Sequence, residues 1–145
     1  MNNIEEKSNG KITTARKFLI MAVAGDSGDL AWQIKKEGHE VKMYIWVSEY
    51  KDVLDGFIDK VDDWRACIDW ADVIIFDDVY NGRTADMLRR EGKLVVGGSV
   101  YTDMIEKNRE FGQEEMKSVG MNVLPHWNFM DFDLAELKKN GFEGF

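Results

Sequence analysis

Apolar residues in this sequence fall into short uninterrupted runs, separated by stretches whose apolar positions recur at helical spacing. Phe18-Leu19-Ile20-Met21-Ala22-Val23-Ala24 is the first run and Val41-Lys42-Met43-Tyr44-Ile45-Trp46 the second. Asp72-Val73-Ile74-Ile75-Phe76 and Leu94-Val95-Val96 follow. Continuous runs of strand length suit strands buried on both faces, as in a parallel sheet covered by helices. Residues 30–36 and 84–91 read as helices, stopped by Gly38 and Gly92 in the usual C-terminal position. Residues 64–70 form a short helix feeding the third strand. Helices are also expected over 101–107 and 108–119, then a strand over 122–124 and a helix across 133–139. Residues 48–63 stay open. Tyr50, Val53, Leu54, Phe57, Ile58 and Val61 recur at helical spacing, but Gly56 interrupts them at about 1 kcal/mol relative to Ala. A loop with one helical turn fits as well as a full helix.

Short apolar strands alternating with helices predict an α/β fold: an open, Rossmann-like parallel sheet with helices on both faces. Residues 1–16 carry few apolar side chains and read as a frayed or disordered lead-in. The domain itself is expected over 17–128, and 129–145 as the start of a connection to further domains. The chain stops after Gly141-Phe142-Glu143-Gly144-Phe145, which looks like the first step into another strand.

Composition narrows the function. The 145 residues are 44% hydrophobic and 32% charged, ordinary for one globular domain. A formal net charge of −8 argues against nucleic acid as a partner, since that affinity comes mainly from Lys and Arg on phosphates. No apolar run approaches the roughly 20 residues of a membrane span, so no membrane is expected. The start of the chain lacks a signal-peptide core, and Cys67 has no second cysteine to pair with. A cytoplasmic location follows as the expectation. Cys67 itself reads as a packed thiol. His39 and His126 lack partners at metal spacing, which argues against zinc.

Two places offer chemistry at the ends of strands, where open α/β sheets collect their ligands. Gly25, Asp26, Ser27 and Gly28 form a turn between the first strand and its helix. Free N–H groups at a helix N-terminus suit phosphate or carboxylate. Asp26, Ser27 or Asp29 could instead simply cap the helix. The full G-x-G-x-x-G pattern is absent, which disfavours a dinucleotide. Asp77 and Asp78 end the third strand and could hold a ribose hydroxyl, an amine or magnesium. Adjacent residues of an extended chain point to opposite faces, so at most one serves a common site. Both could equally be solvated residues leading into the Asn81-Gly82 turn.

The most informative segment is Ile105-Glu106-Lys107-Asn108-Arg109-Glu110-Phe111, followed by Met116 and Val119-Gly120-Met121. It resembles the E-x-x-K/R-x-F segment of phosphoribosylamine–glycine ligase (glycinamide ribonucleotide synthetase), an ATP-grasp enzyme of purine biosynthesis. Carbamoyl-phosphate synthetase carries a similar basic residue. Ala24-Gly25-Asp26-Ser27-Gly28-Asp29-Leu30-Ala31-Trp32 is similar to that family's G-G-R-E-H-A-L-A-W, and Gly97 to the glycine before its helix pair. The similarity covers residues 17–145.

The resemblance implies a domain that precedes the ATP-grasp domains, which would lie C-terminal to this segment and bring ATP and Mg2+. It places Arg109 on the ATP phosphates. It lines the edge for a small amine or phosphorylated substrate with Gly25, Asp26, Ser27, Gly28, Asp77 and Asp78. It assigns no catalytic residue and no metal ligand to this chain, which alone would be inactive. The family's Arg-Glu-His is replaced by Asp26-Ser27-Gly28, and its G-P-E-x-P-L substrate loop by Phe76-Asp77-Asp78-Val79-Tyr80. Another amine or carboxylate is therefore open as substrate. Read without the resemblance, Arg109 sits on a solvated helix face beside Glu106 or Gln113. The competing function is a free-standing α/β module for a small anionic ligand or a protein partner.

Overall fold

The computed structural model describes residues 14–124 and Lys139. The chain divides into two compact units, Met1–Asp103 and Met104–Phe145. The first is built on five parallel strands: β1 (Lys17–Ala22), β2 (Glu40–Ile45), β3 (Asp59–Lys60), β4 (Val73–Phe76) and β5 (Leu94–Val96). Their order is β3-β2-β1-β4-β5. The chain therefore winds outward from β1 to β3, then crosses back to lay β4 on the other side of β1. The expected Rossmann-like α/β sheet is the fold this chain adopts.

β1 runs through the middle of the sheet, and its apolar run is explained by that position. Leu19, Ile20, Met21 and Ala22 are all wholly buried. Because successive side chains alternate in direction, Leu19 and Met21 join one core cluster and Ile20 and Ala22 the other. Helix α1 (Gly28–Lys36) covers the second cluster with Ala31 and Ile34. Helix α2 (Gly82–Arg90) covers the first with Ala85 and Leu88, next to buried Trp64 and Cys67. Helices thus lie on both faces.

Glycine stops these helices as expected. Gly38 has φ +91°, its N–H donates to Lys35 O, and His39 N–H donates to Ile34 O. Gly92 repeats the pattern at φ +85° with Arg89 O and Leu88 O. Both are left-handed ends in which the last carbonyls find donors.

One open reading is settled, and two expectations, over 64–70 and 122–124, need correction. The segment left open over 48–63 contains only a 3-10 turn at Ser48–Tyr50, successive turns, and then the edge strand β3. A full helix is ruled out there by Leu54 and Gly56, both at positive φ. Residues 122–124, expected as a strand, belong to none. A short segment becomes a strand only with a ladder partner, and the described strands pair among themselves. Residues 64–70 hold a 3-10 turn at Arg65–Cys67. The helix expected across 133–139 lies outside the described residues, except Lys139, which is helical.

Helix α3 (Val100–Lys107) runs through the boundary between the units, and α4 (Arg109–Ser118) belongs to the second. In that unit α4 presses on the last turn of α3 through Gly112, where a Cβ would stand 2.5 Å from Ile105 O. No helix of the described residues is long and apolar enough to cross a membrane.

Candidate functional site

The order β3-β2-β1-β4-β5 reverses direction between β1 and β4, and the C-terminal ends of those two strands form the crevice where such sheets take ligands. The structure brings the glycine turn and Asp77 together there. Asp77 accepts from Val23 N–H at 3.2 Å with Oδ1 and from the Ser27 hydroxyl at 2.8 Å with Oδ2. Both carboxylate oxygens are therefore occupied in tying β4 to the turn after β1. Ser27 stands at the N-cap of α1, yet its side chain makes no capping bond, because the hydroxyl is given to Asp77. Asp26 is exposed.

The glycines of the turn answer to packing. Gly25 has φ +90°, and a Cβ there would lie 3.1 Å from Val53 Cγ1. At Gly28 a Cβ would meet both δ-carbons of Leu54, at 2.8 and 2.9 Å. In a dinucleotide fold this close approach is left for a pyrophosphate. Here a leucine fills it, with the Asp77 carboxylate beside the helix start and Asp29 in its first turn. Anions are poorly served at this position.

Asp78 turns elsewhere. With Val23, Trp46, Val79, Tyr80 and Asn81 it lines a pocket of about 380 Å³ at the mouth of β1, β2 and β4. Trp46 and Tyr80 were not legible as site residues. The available signal was an aromatic residue standing where a parallel strand ends. A second pocket of about 320 Å³ lies between α1 and the 54–58 loop, with Trp32, Leu54 and Phe57 in its walls.

The loop carrying Asp78 and Tyr80 is held by a residue distant in sequence. Asp103, only 7% exposed, accepts from Tyr80 N–H at 3.2 Å and from Gly82 N–H at 2.9 Å. It caps α2 from α3, where the N-cap residue Asn81 makes no capping bond. α2 returns the favour, since Asp86 accepts from Val100 N–H at 3.0 Å at the start of α3. That bond holds the Asp86 carboxyl below its ordinary value, against desolvation, which raises it, and with lesser help from Arg89. Arg89 also donates to the carbonyls of Gly97 and Gly98, both at 2.8 Å. Ser99 and Thr102 exchange side-chain and backbone bonds across the first turn of α3, a capping box. Gly82 is required because a Cβ would come within 2.2 Å of the Ser99 carbonyl.

Arg109 lies in the second unit, in the opening turn of α4, and is exposed. Asn108 caps that helix, its Oδ1 accepting from Phe111 N–H at 3.1 Å. Among the described residues the Arg109 guanidinium makes no hydrogen bond or ion pair, with Glu106 and Gln113 included. No group of three His, Cys, Asp or Glu among the described residues could hold a metal ion. Cys67 is a buried free thiol, and His39 accepts from Arg16 N–H.

No protein-family model and no curated protein matches the chain. Among solved structures it is similar to N5-carboxyaminoimidazole synthetase from Staphylococcus aureus, crystallised with ADP. The identity is 17% and the TM-score 0.57, over 79% of this chain and 33% of that one. It is also similar to shikimate dehydrogenase from Aquifex aeolicus, at 14% identity and TM-score 0.48, over 77% of this chain and 51% of that one. An imine reductase from Myxococcus stipitatus aligns at 12% identity and TM-score 0.45, over 75% of this chain and 39% of that one. The chain thus spans about half of the dehydrogenase and a third of the synthetase. At 17% identity the likeness to the synthetase bears on the α/β fold alone.

Proposed function

We propose that this chain is the leading α/β domain of an ATP-dependent carboxylate–amine ligase, laid out like phosphoribosylamine–glycine ligase and inactive by itself. The observation that carries the reading is Arg109, a cation without a partner among the described residues, in the opening turn of a capped helix that follows the parallel sheet in sequence. A planar guanidinium clamps phosphate oxygens in pairs, and the N–H groups of the same helix end add donors. The similarity to a synthetase solved with ADP, of which the match covers 33%, supports a longer protein of that plan.

The reaction would be phosphoryl transfer from ATP to a carboxylate, followed by attack of an amine on the acyl phosphate with loss of phosphate. This chain's part is positioning and charge. Arg109 would steady the phosphates, and the C-terminal edge of the sheet would hold the amine. No group of three His, Cys, Asp or Glu among the described residues could hold a metal ion, so magnesium would have to be held elsewhere. A dinucleotide oxidoreductase fits less well, because Leu54 and Asp77 take up the start of α1.

Kinetics of the whole gene product test this. Arg109→Ala should raise KM for ATP by about tenfold or more while leaving the melting temperature unchanged, since one charge-assisted phosphate contact is worth that much. Arg109→Lys should recover part of the loss. An ATP KM untouched by both variants would remove Arg109 from the site.

A further inference from the structure

The pocket at the mouth of β1, β2 and β4 combines aromatic walls with a carboxylate. Trp46 leaves β2 with 39% of its surface exposed, although its ring is braced from behind. Tyr44 meets it edge-on at 5.0 Å, and buried Trp64 lies 6.2 Å away. Tyr80 is 68% exposed and sits at φ +73°, a conformation that side chains rarely adopt. The buried Asp103 carboxylate holds it there through the Tyr80 and Gly82 amides. Two aromatic residues are thus presented at the pocket on supports that fix their positions.

The third wall is Asp78. Its Oδ1 accepts from Val79 N–H at 2.7 Å, and among the described residues no Lys, Arg or His lines the pocket. An anionic ligand would face that carboxylate with no compensating charge. A cation would meet a carboxylate and the negative faces of aromatic rings together. The volume, about 380 Å³, lies at the small end of the range for ligand pockets and suits one ring system.

We propose that this pocket binds a planar aromatic or heteroaromatic cation, such as a ring-borne amidine or ammonium. Its ring lies against Trp46 and Tyr80, and its charge is met by Asp78. The site is separate from the glycine turn, whose own carboxylate, Asp77, is committed to Val23 and Ser27. The proposal does not depend on the ligase reading: it concerns the chain alone, so either can fail without the other.

Benzamidine is the probe, and benzoate is its anionic counterpart of the same shape. Binding is followed by NMR at the indole N–H of Trp46, assigned with Trp46→Phe. Benzamidine should shift that signal saturably, and benzoate should bind at least about tenfold more weakly. Asp78→Asn should weaken benzamidine about fivefold and narrow the gap to benzoate. Tyr80→Gly keeps the left-handed backbone and removes the ring, so it too should lose affinity while remaining folded. Any of three results overturns the proposal: no saturable shift at Trp46, equal affinity for the two probes, or undiminished benzamidine binding in both variants.

Discussion

At the scale of residues, four aspartates share one chemical group and do three different things. Asp77 ties two strand ends together, Asp78 faces a pocket, Asp86 caps α3 and Asp103 caps α2. The last pair makes testable claims. Asp103→Ala leaves two amides at the start of α2 without their acceptor, in a setting where water is largely excluded. It should cost about 1–3 kcal/mol in equilibrium denaturation. A change within error would mean that those amides find another partner. Asp86 makes a claim about pH. Its folded pKa is depressed, chiefly by Val100 N–H, so its stabilising contribution is present above the unfolded value. That contribution is lost as pH falls through the folded value, which lies below 3.8. The Val100 amide resonance should titrate with a midpoint below 3.8, and Asp86→Asn should abolish that step. A midpoint at or above 3.8 would contradict the hydrogen bond. Neither residue was legible in the sequence, because both act across gaps that only folding closes: 21 positions from Gly82 to Asp103 and 14 from Asp86 to Val100.

At the scale of elements, what could be read in the sequence is what local chemistry decides. The apolar runs of β1, β2, β4 and β5 and the glycine stops at Gly38, Gly92 and Gly120 needed no knowledge of neighbours. β3 was missed because it exists only through its pairing of Asp59 and Lys60 with Lys42 and Met43. The strand expected over 122–124 failed for the converse reason: it has apolar residues but no described ladder. Burial divides the elements in a way that substitution should reproduce. Leu88 of α2 is wholly buried, whereas Leu94 of β5 is 64% exposed. Leu88→Ala should destabilise by about 2–5 kcal/mol, and Leu94→Ala by no more than about 1 kcal/mol, measured by urea denaturation. Equal costs would mean that β5 is covered in solution.

At the scale of the whole molecule, the sheet's reversal between β1 and β4 sets where a ligand can go, and the side chains decide which ligand. The sequence pointed to this edge through Gly25 to Gly28 and the Asp77-Asp78 pair. It did not reveal that Leu54 and Asp77 would occupy the start of α1, nor that Trp46 and Tyr80 would face the neighbouring pocket. Those outcomes depend on the turns between β2 and β3 and on the Asp103 cap, both of which are tertiary. The Arg109 helix was legible because its signals are local: apolar residues at helical spacing, a basic residue in the first turn, and a glycine end. Its role in ATP binding is the claim on which the functional account turns. A crystal structure of the whole gene product with a non-hydrolysable ATP analogue tests it directly. The account predicts the Arg109 guanidinium within hydrogen-bonding distance of the phosphate oxygens. A nucleotide seated on the N-terminus of α1, with Arg109 in solvent, would contradict it.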